Sequence, residues 1–315
     1  MCTFSEVKSE SLVDTLTKKT KMTTPLTVCV VGLGLMGGSA ALCWKAMPGV
    51  RVTGLVHSER SAQRVREAGL IDSVTTDPEV AFAEADLIVV CTPIPTMGAI
   101  FGAIDRSAKP EVIITDIASV RHPAGLAARA HLKKERLPYY VPLHPICGGE
   151  LTGPEAARAD LYEGAVGVLI SSHWVEEQAK NTVVKFWEAT GLKIIEMSES
   201  EHDRVYALVS HMPHLIAYAT MLAAMDSEVG NMALKAAGSG FRDLTRIAGS
   251  DPSMWADIVL ENREAVLSAL SDFEKALAHM KEAVQTNDRS MLVAPLSRAS
   301  VARRTLKDKL PPIHQ

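Results

Sequence analysis

The most constraining feature is a run of glycines set directly against an apolar strand pattern. Val28-Cys29-Val30-Val31 leads into Gly32-Leu33-Gly34-Leu35-Met36-Gly37-Gly38-Ser39. A GxGxxG spacing between a strand and a helix has a physical meaning at each position. Gly32 permits the tight turn, Gly34 lets the backbone approach a pyrophosphate, and Gly37 lets helix and strand pack closely. The helix start at Leu35 and Met36 then offers free N–H groups and the positive end of the helix dipole to phosphates. This segment points to an α/β beginning and to a dinucleotide ligand; the competing reading is a glycine-rich turn used only for packing.

The next 160 residues agree with that start. Strand-like runs fall at Thr27–Val31, Arg51–Val56, Leu87–Cys91, Val112–Thr115, Tyr139–Pro142, Val166–Ile170 and Lys193–Ile195. Segments of helical spacing separate most of them, among them Arg60–Ala68, Val120–Lys134 and Val175–Thr190. Such alternation implies βαβ units and a parallel sheet. After Met197 strand signals stop. His202–Ala224 reads as a buried helix kinked at Pro213. Asp251-Pro252 reads as an N-cap with proline in the first turn. Glu261–Val284 carries an apolar stripe at three- and four-residue steps. The expected domains are therefore 26–196 and 197–300, with tails at 1–25 and 301–315.

Composition removes several classes. A net charge of −4 gives no basic excess for nucleic acid. Uninterrupted apolar runs such as Leu87–Cys91 fall far short of the ~20 residues of a membrane span. The five cysteines are odd in number and form no CxxC, which argues against disulfides, against zinc, and for a reducing cytoplasm. Residues 1–25 hold no arginine and three acids, unlike a secretory or transit peptide, and Met22 is an alternative start.

The second strand bears on the cofactor. An NAD site ends this strand with an acid for the ribose 2′-OH, but Val56 stands at that place. His57, Ser58 and Arg60 follow and suit a 2′-phosphate, so NADP+ is favoured over NAD+. The competing reading leaves Arg60 solvated and gives the ribose to Glu59. Thr92 and Pro93, after the third long strand, either line the cofactor edge of the sheet or serve only as turn residues.

Three further clusters carry polar chemistry. They are Asp116-Ile117-Ala118-Ser119-Val120-Arg121, His144-Pro145-Ile146-Cys147-Gly148-Gly149-Glu150, and Ser210-His211-Met212-Pro213-His214 followed by Gly240-Phe241-Arg242-Asp243-Leu244-Thr245-Arg246-Ile247-Ala248. In this order behind the glycine fingerprint, they resemble the prephenate/arogenate dehydrogenase family of tyrosine biosynthesis, from about Thr27 to Val284. The resemblance implies an α/β Rossmann-like N-terminal domain and an all-α C-terminal dimerisation domain, hence a homodimer. It implies oxidation of the ring C4 hydroxyl of prephenate by hydride transfer to NAD(P)+, with loss of CO2. Arogenate is the alternative substrate.

The resemblance also carries roles. His144, after a strand in a glycine-rich loop, would accept the hydroxyl proton, a task suited to imidazole near neutral pH. Ser119 would orient that hydroxyl, Arg246 would hold a substrate carboxylate, His214 would contact the substrate, and Glu150 matches a position at the site entrance. Structural readings stand beside these. Ser119 would serve as a helix N-cap. Arg246 would pair with Asp243 or Asp251. His211, Arg242, Asp243 and Trp255 would be structural. The His211–His214 spacing suits a metal, but Pro213 and the lack of a clear third ligand argue for none. By this reading, too few residues flank the matched segment for a fused chorismate mutase or ACT domain.

Two rivals remain. A β-hydroxyacid dehydrogenase would need a helical lysine with asparagine four residues on, whereas Lys235 is followed by Ser239. A non-catalytic NADP-binding regulator would not need Ser119, His144, His214 and Arg246 together.

Overall fold

Strand β1 (Leu26–Val31) sends alternate side chains into two apolar layers. Val28 and Val30 join one core cluster, Cys29 and Val31 the other. A strand covered on both faces reads as a continuous apolar run, as this one does. Around it the computed structural model, which describes residues 26–149 and 151–306, builds a five-stranded parallel sheet. Its order is β3 (Ser73–Thr75), β2 (Val50–Leu55), β1, β4 (Leu87–Val90), β5 (Ile113–Asp116). The chain leaves β1 toward β2 and later crosses to β4 on its other side. That reversal opens a crevice at the strands' carboxyl ends, where open α/β sheets bind ligands.

Helix α1 (Leu35–Lys45) packs in the first cluster through Trp44, which is fully buried. Three helices follow along the chain: α2 (Glu59–Glu67), α3 (Pro78–Ala83) and α4 (Ile94–Ser107). Helix α5 (Arg121–His131) joins α4 in the second cluster through Ala124 and Ala128 against Phe101 and Ile104.

A second, smaller sheet corrects the expectation of a single parallel one. β6 (Leu143–Ile146) is antiparallel to β7 (Val166–Ile170), which is parallel to β8 (Lys193–Met197). The strand expected at Tyr139–Pro142 is displaced. Residues Lys134–Tyr139 form a 3-10 helix, Tyr140 makes one isolated parallel bridge to Ile114, and the strand starts at Leu143. Pro145 has no N–H for a ladder, and it sits on the edge strand, where that loss is tolerated. Helix α6 (Glu177–Glu188) seats Phe186 and Trp187 against Trp44.

The chain divides into two compact units between Glu199 and Ser200. The second unit is helical. α7 (Glu199–Tyr206) passes through a π-helical turn (Ala207–His211) into α8 (Met212–Met225). There the Met212 N–H bonds to the Ala207 carbonyl, five residues back. Pro213 falls in the first turn of α8, where its missing N–H is tolerated. α9 (Gly230–Lys235), α10 (Ser239–Thr245), α11 (Pro252–Glu261), α12 (Arg263–Gln285) and α13 (Arg289–Leu306) follow. The Asp251 carboxylate caps α11 by accepting from the Met254 N–H at 2.9 Å. Residues 301–306, expected in a tail, are the last turns of α13.

The helix expected to be buried is buried on one side only. His202, Tyr206, Ala207 and His211 are covered, whereas Leu208, Val209, Leu222 and Met225 are exposed. Glu199–Met225 is also long and apolar enough, by length and composition, to cross a membrane. A count of uninterrupted apolar runs does not detect it, because His202, Asp203 and Ser210 interrupt the pattern.

Candidate active site

The glycine loop has the form its spacing implies. Gly32 has φ +88°, and a Cβ there would meet the Cys91 carbonyl oxygen at 2.8 Å and Thr92 Cγ2 at 2.9 Å. At Gly37 a Cβ would strike the Gly32 carbonyl. Gly34 faces open space, with nothing within 4 Å of its ideal Cβ. It is also the N-cap of α1 and supplies no capping side chain, so the first-turn N–H groups at Leu35, Met36 and Gly37 meet no side-chain acceptor from the cap. The Thr92 hydroxyl beside the loop is buried with no hydrogen-bond partner among the described residues. An uncapped helix start, a cleared approach and an orphaned hydroxyl suit a phosphate-bearing dinucleotide. Pro93 is exposed at the N-cap of α4.

At the end of β2 the Val56 side chain is buried, and its N–H bonds to the Thr75 carbonyl at 3.1 Å. Ser58 caps α2, its hydroxyl accepting from the Ser61 N–H at 3.2 Å. The Ser61 hydroxyl also lies 3.4 Å from His57 Nε2. Glu59 is paired with Arg66 at 2.7 Å. Arg60 is exposed and forms no ion pair among the described residues.

Ser119 lies in the loop between β5 and α5. The N-cap of α5 is Val120, with no side-chain cap, so Ser119 is not the capping residue that the structural reading assigned. The same loop holds an ion pair that sequence reasoning left unassigned. Arg121 donates to both carboxylate oxygens of Asp116, at 2.7 and 2.8 Å, and the two side chains are 1% and 0% exposed. The legible signal was an acid closing an apolar strand with an arginine five residues on.

His144 lies inside β6 rather than after a strand. It pairs in register with Val168, on the half-buried face opposite Leu143 and Pro145. The displaced strand start is the reason. Glu150 lies outside the described residues. Burial pushes the Cys147 thiol up to about 12, which keeps it protonated at neutral pH.

In the second unit two histidines have different surroundings. The His214 Nδ1–H donates to the Ser210 carbonyl at 2.9 Å, which leaves Nε2 as an acceptor. Its ring stacks on Trp255, centroids 3.4 Å apart and 20° between planes. Burial lowers the His214 pKa, and the nearby Arg246 guanidinium lowers it further. The structure thus brings together His214 and Arg246, two of the expected site residues. Trp255, read from sequence as structural, is the platform for His214. His211 is buried, and the Asn262 amide, which also donates to the Asp203 carbonyl, lies 3.1 Å from its Nδ1. Nδ1 is therefore the acceptor and the neutral ring carries its proton on Nε2. Burial drives the His211 pKa down to about 4.

A parallel sheet with an open glycine loop at its carboxyl ends, continued along the chain by a helical unit, places the protein in the class of dinucleotide-binding proteins. Comparison with known proteins narrows the class. Residues 40–196 match the nucleotide-binding domain of prephenate dehydrogenase, and residues 198–298 match its dimerization domain. Cyclohexadienyl dehydrogenase of Zymomonas mobilis is 35% identical over 89% of this chain and 96% of its own length. Prephenate dehydrogenase of Bacillus subtilis is 30% identical over 83% of this chain and 71% of its own. The crystal structure of prephenate dehydrogenase from A. aeolicus with hydroxyphenyl propionate and NAD+ superposes with a TM-score of 0.82 at 31% identity. It covers 90% of this chain and 99% of that one. The chain belongs to the prephenate dehydrogenase family.

The His211 environment generates a pH prediction. Between its ordinary pKa of 6.5 and about 4, the unfolded ring binds a proton that the folded ring does not. Its stabilising contribution is therefore complete above that window and is lost as pH falls through it. The urea midpoint should drop from pH 7 to pH 5, and less steeply in His211→Gln. Equal slopes in the two proteins would remove His211 as the cause.

Proposed function

We propose that the chain catalyses oxidative decarboxylation of prephenate to 4-hydroxyphenylpyruvate, with arogenate, giving tyrosine directly, as the alternative substrate. The observation that carries this reading is the family match across both units, joined by a relative matched over 96% of its length. The bound nicotinamide supplies the acceptor for the hydride leaving C4. His144 takes the C4 hydroxyl proton as the C–O bond gains double-bond character. Electrons of the breaking C1–carboxylate bond then complete the aromatic ring, CO2 leaves, and the proton returns to the phenolic oxygen. Ser119 orients the hydroxyl for this transfer, and Glu150 stands at the site entrance.

Arg246 holds a substrate carboxylate, since a guanidinium fork matches its geometry. The neutral His214, with Nε2 left as an acceptor, contacts the substrate. Absorbance at 340 nm on mixing the oxidised cofactor with prephenate or arogenate tests the activity. His144→Asn should lose most of kcat with KM nearly kept, and Arg246→Gln should mainly raise KM, by about 10-fold or more for a charged hydrogen bond. No turnover of either substrate by the unaltered chain would refute the reading.

NADP+ is the preferred cofactor in this proposal. The buried Val56, the Glu59–Arg66 pair and the uncommitted Arg60 guanidinium support it. His57 and Ser58 would add donors to a 2′-phosphate, although Ser58 also caps α2. The kcat/KM ratio of NADP+ to NAD+ should exceed one and fall about 10-fold in Arg60→Ala. A ratio in favour of NAD+ would return the ribose to Glu59.

The working form is a homodimer of a cytoplasmic enzyme. Among the described residues the second unit holds a small buried cluster of Ala207, Val266 and Ala269 with half-buried neighbours, while Met232, Leu260, Leu267 and Val284 are exposed. So much open apolar surface fits a subunit interface. Light scattering should give twice the chain mass, and the mass of one chain would refute the dimer.

A further inference from the structure

The loop bearing Ser119 is held by a buried polar network. Asp116 ends β5, and its Oδ1 accepts from the Ala118 N–H at 2.9 Å and from Arg121 Nη1 at 2.7 Å. The same Nη1 donates to the Ala118 carbonyl at 2.9 Å. Both peptide groups of the residue before Ser119 are thereby fixed. Asp116 Oδ2 accepts from Arg121 Nη2 at 2.8 Å and from the Tyr140 hydroxyl at 2.7 Å. Tyr140 belongs to the segment that enters β6, four residues before His144. It bridges Ile114 of β5, and the next N–H, of Val141, donates to the Ile114 carbonyl at 2.8 Å. Burial and the adjacent Asp116 raise the tyrosine's pKa well above its usual value, so the hydroxyl stays a donor.

We propose that Asp116, Arg121 and Tyr140 form a positioning device that sets Ser119 and the His144 strand relative to each other for hydride transfer. The proposal rests on the dehydrogenase reading above. None of the three touches the reacting atoms; each acts through backbone it holds. A fold needing only a satisfied Asp116 would be served by the arginine fork alone. Beside the backbone bridge at Ile114, the Tyr140 hydroxyl supplies the side-chain link from Asp116 and Arg121 to the segment carrying His144.

Tyr140→Phe removes that bond, keeps the ring against Phe101 and leaves the Asp116–Arg121 pair in place. It should lower kcat by about 10- to 100-fold, the scale of a small misplacement of reacting groups. KM for substrate and cofactor should stay within about twofold. In a Ser119→Ala background the same change should cost almost nothing more, because the placing of Ser119 relative to His144 no longer matters once the hydroxyl is gone. Arg121→Lys, which keeps the charge but loses the fork, should show the same pattern. Cofactor binding and the thermal midpoint report whether each variant is folded. An unaltered kcat in folded Tyr140→Phe, or losses that multiply with Ser119→Ala, would overturn the inference. Absence of turnover in the unaltered chain would instead defeat the proposed function.

Discussion

Helix α1 can lie against the sheet because Gly37 has no Cβ. A methyl group there would run into the Gly32 carbonyl, and one at Gly32 into the Cys91 carbonyl and Thr92. Much of the first unit depends on that close seat. From α1, Trp44 reaches α6, its Nε1–H donating to the Phe186 carbonyl at 2.8 Å. Ser39 accepts from the Arg158 N–H, and the Met36 carbonyl accepts from the Tyr162 hydroxyl, so the segment after β6 is fastened to the same helix. A helix pushed outward by one methyl group would loosen the phosphate loop and the β7 side of the core together. Close-packed interiors transmit such displacements rather than absorb them.

Two buried polar groups are handled in different ways. Asp116 keeps a charge inside the protein, and the cost of desolvation is offset by a bidentate arginine, a peptide N–H and a phenol. Removing one partner of such a pair costs about 3–5 kcal/mol, because the other charge is left buried. His211 is instead kept neutral, with the Asn262 amide directed at Nδ1, where an added proton would meet a donor. The first arrangement fixes geometry and the second excludes charge. His214, three residues along, also stays neutral, under burial and the Arg246 guanidinium.

The legibility of the site followed the range of the interactions behind it. The glycine loop, the Asp251 cap and the strands β1, β4 and β7 rest on local periodicity and backbone conformation, and they lay close to the expected positions. His144 was legible as a polar residue in an unusual run, yet its place inside β6 depends on pairing with Val168 across an antiparallel ladder. Ser119 also read as a helix cap, a place the structure gives to Val120, just ahead of the helix start at Arg121. His202–Ala224 looked buried because its composition is apolar. Burial is a property of neighbours, and Leu208, Val209, Leu222 and Met225 of this helix stay exposed among the described residues.

Short-range chemistry thus made the dinucleotide loop, the alternation of strand and helix and the change to an all-helical half readable from residue order alone. Such features depend on steric freedom and periodicity within a few residues. The tertiary structure was needed for the second sheet, the Asp116–Arg121–Tyr140 network, the stacking of His214 on Trp255 and the proximity of Arg246. Each of these joins groups whose contact depends on how the chain folds back on itself. No local pattern encodes which distant donor will reach a buried acceptor.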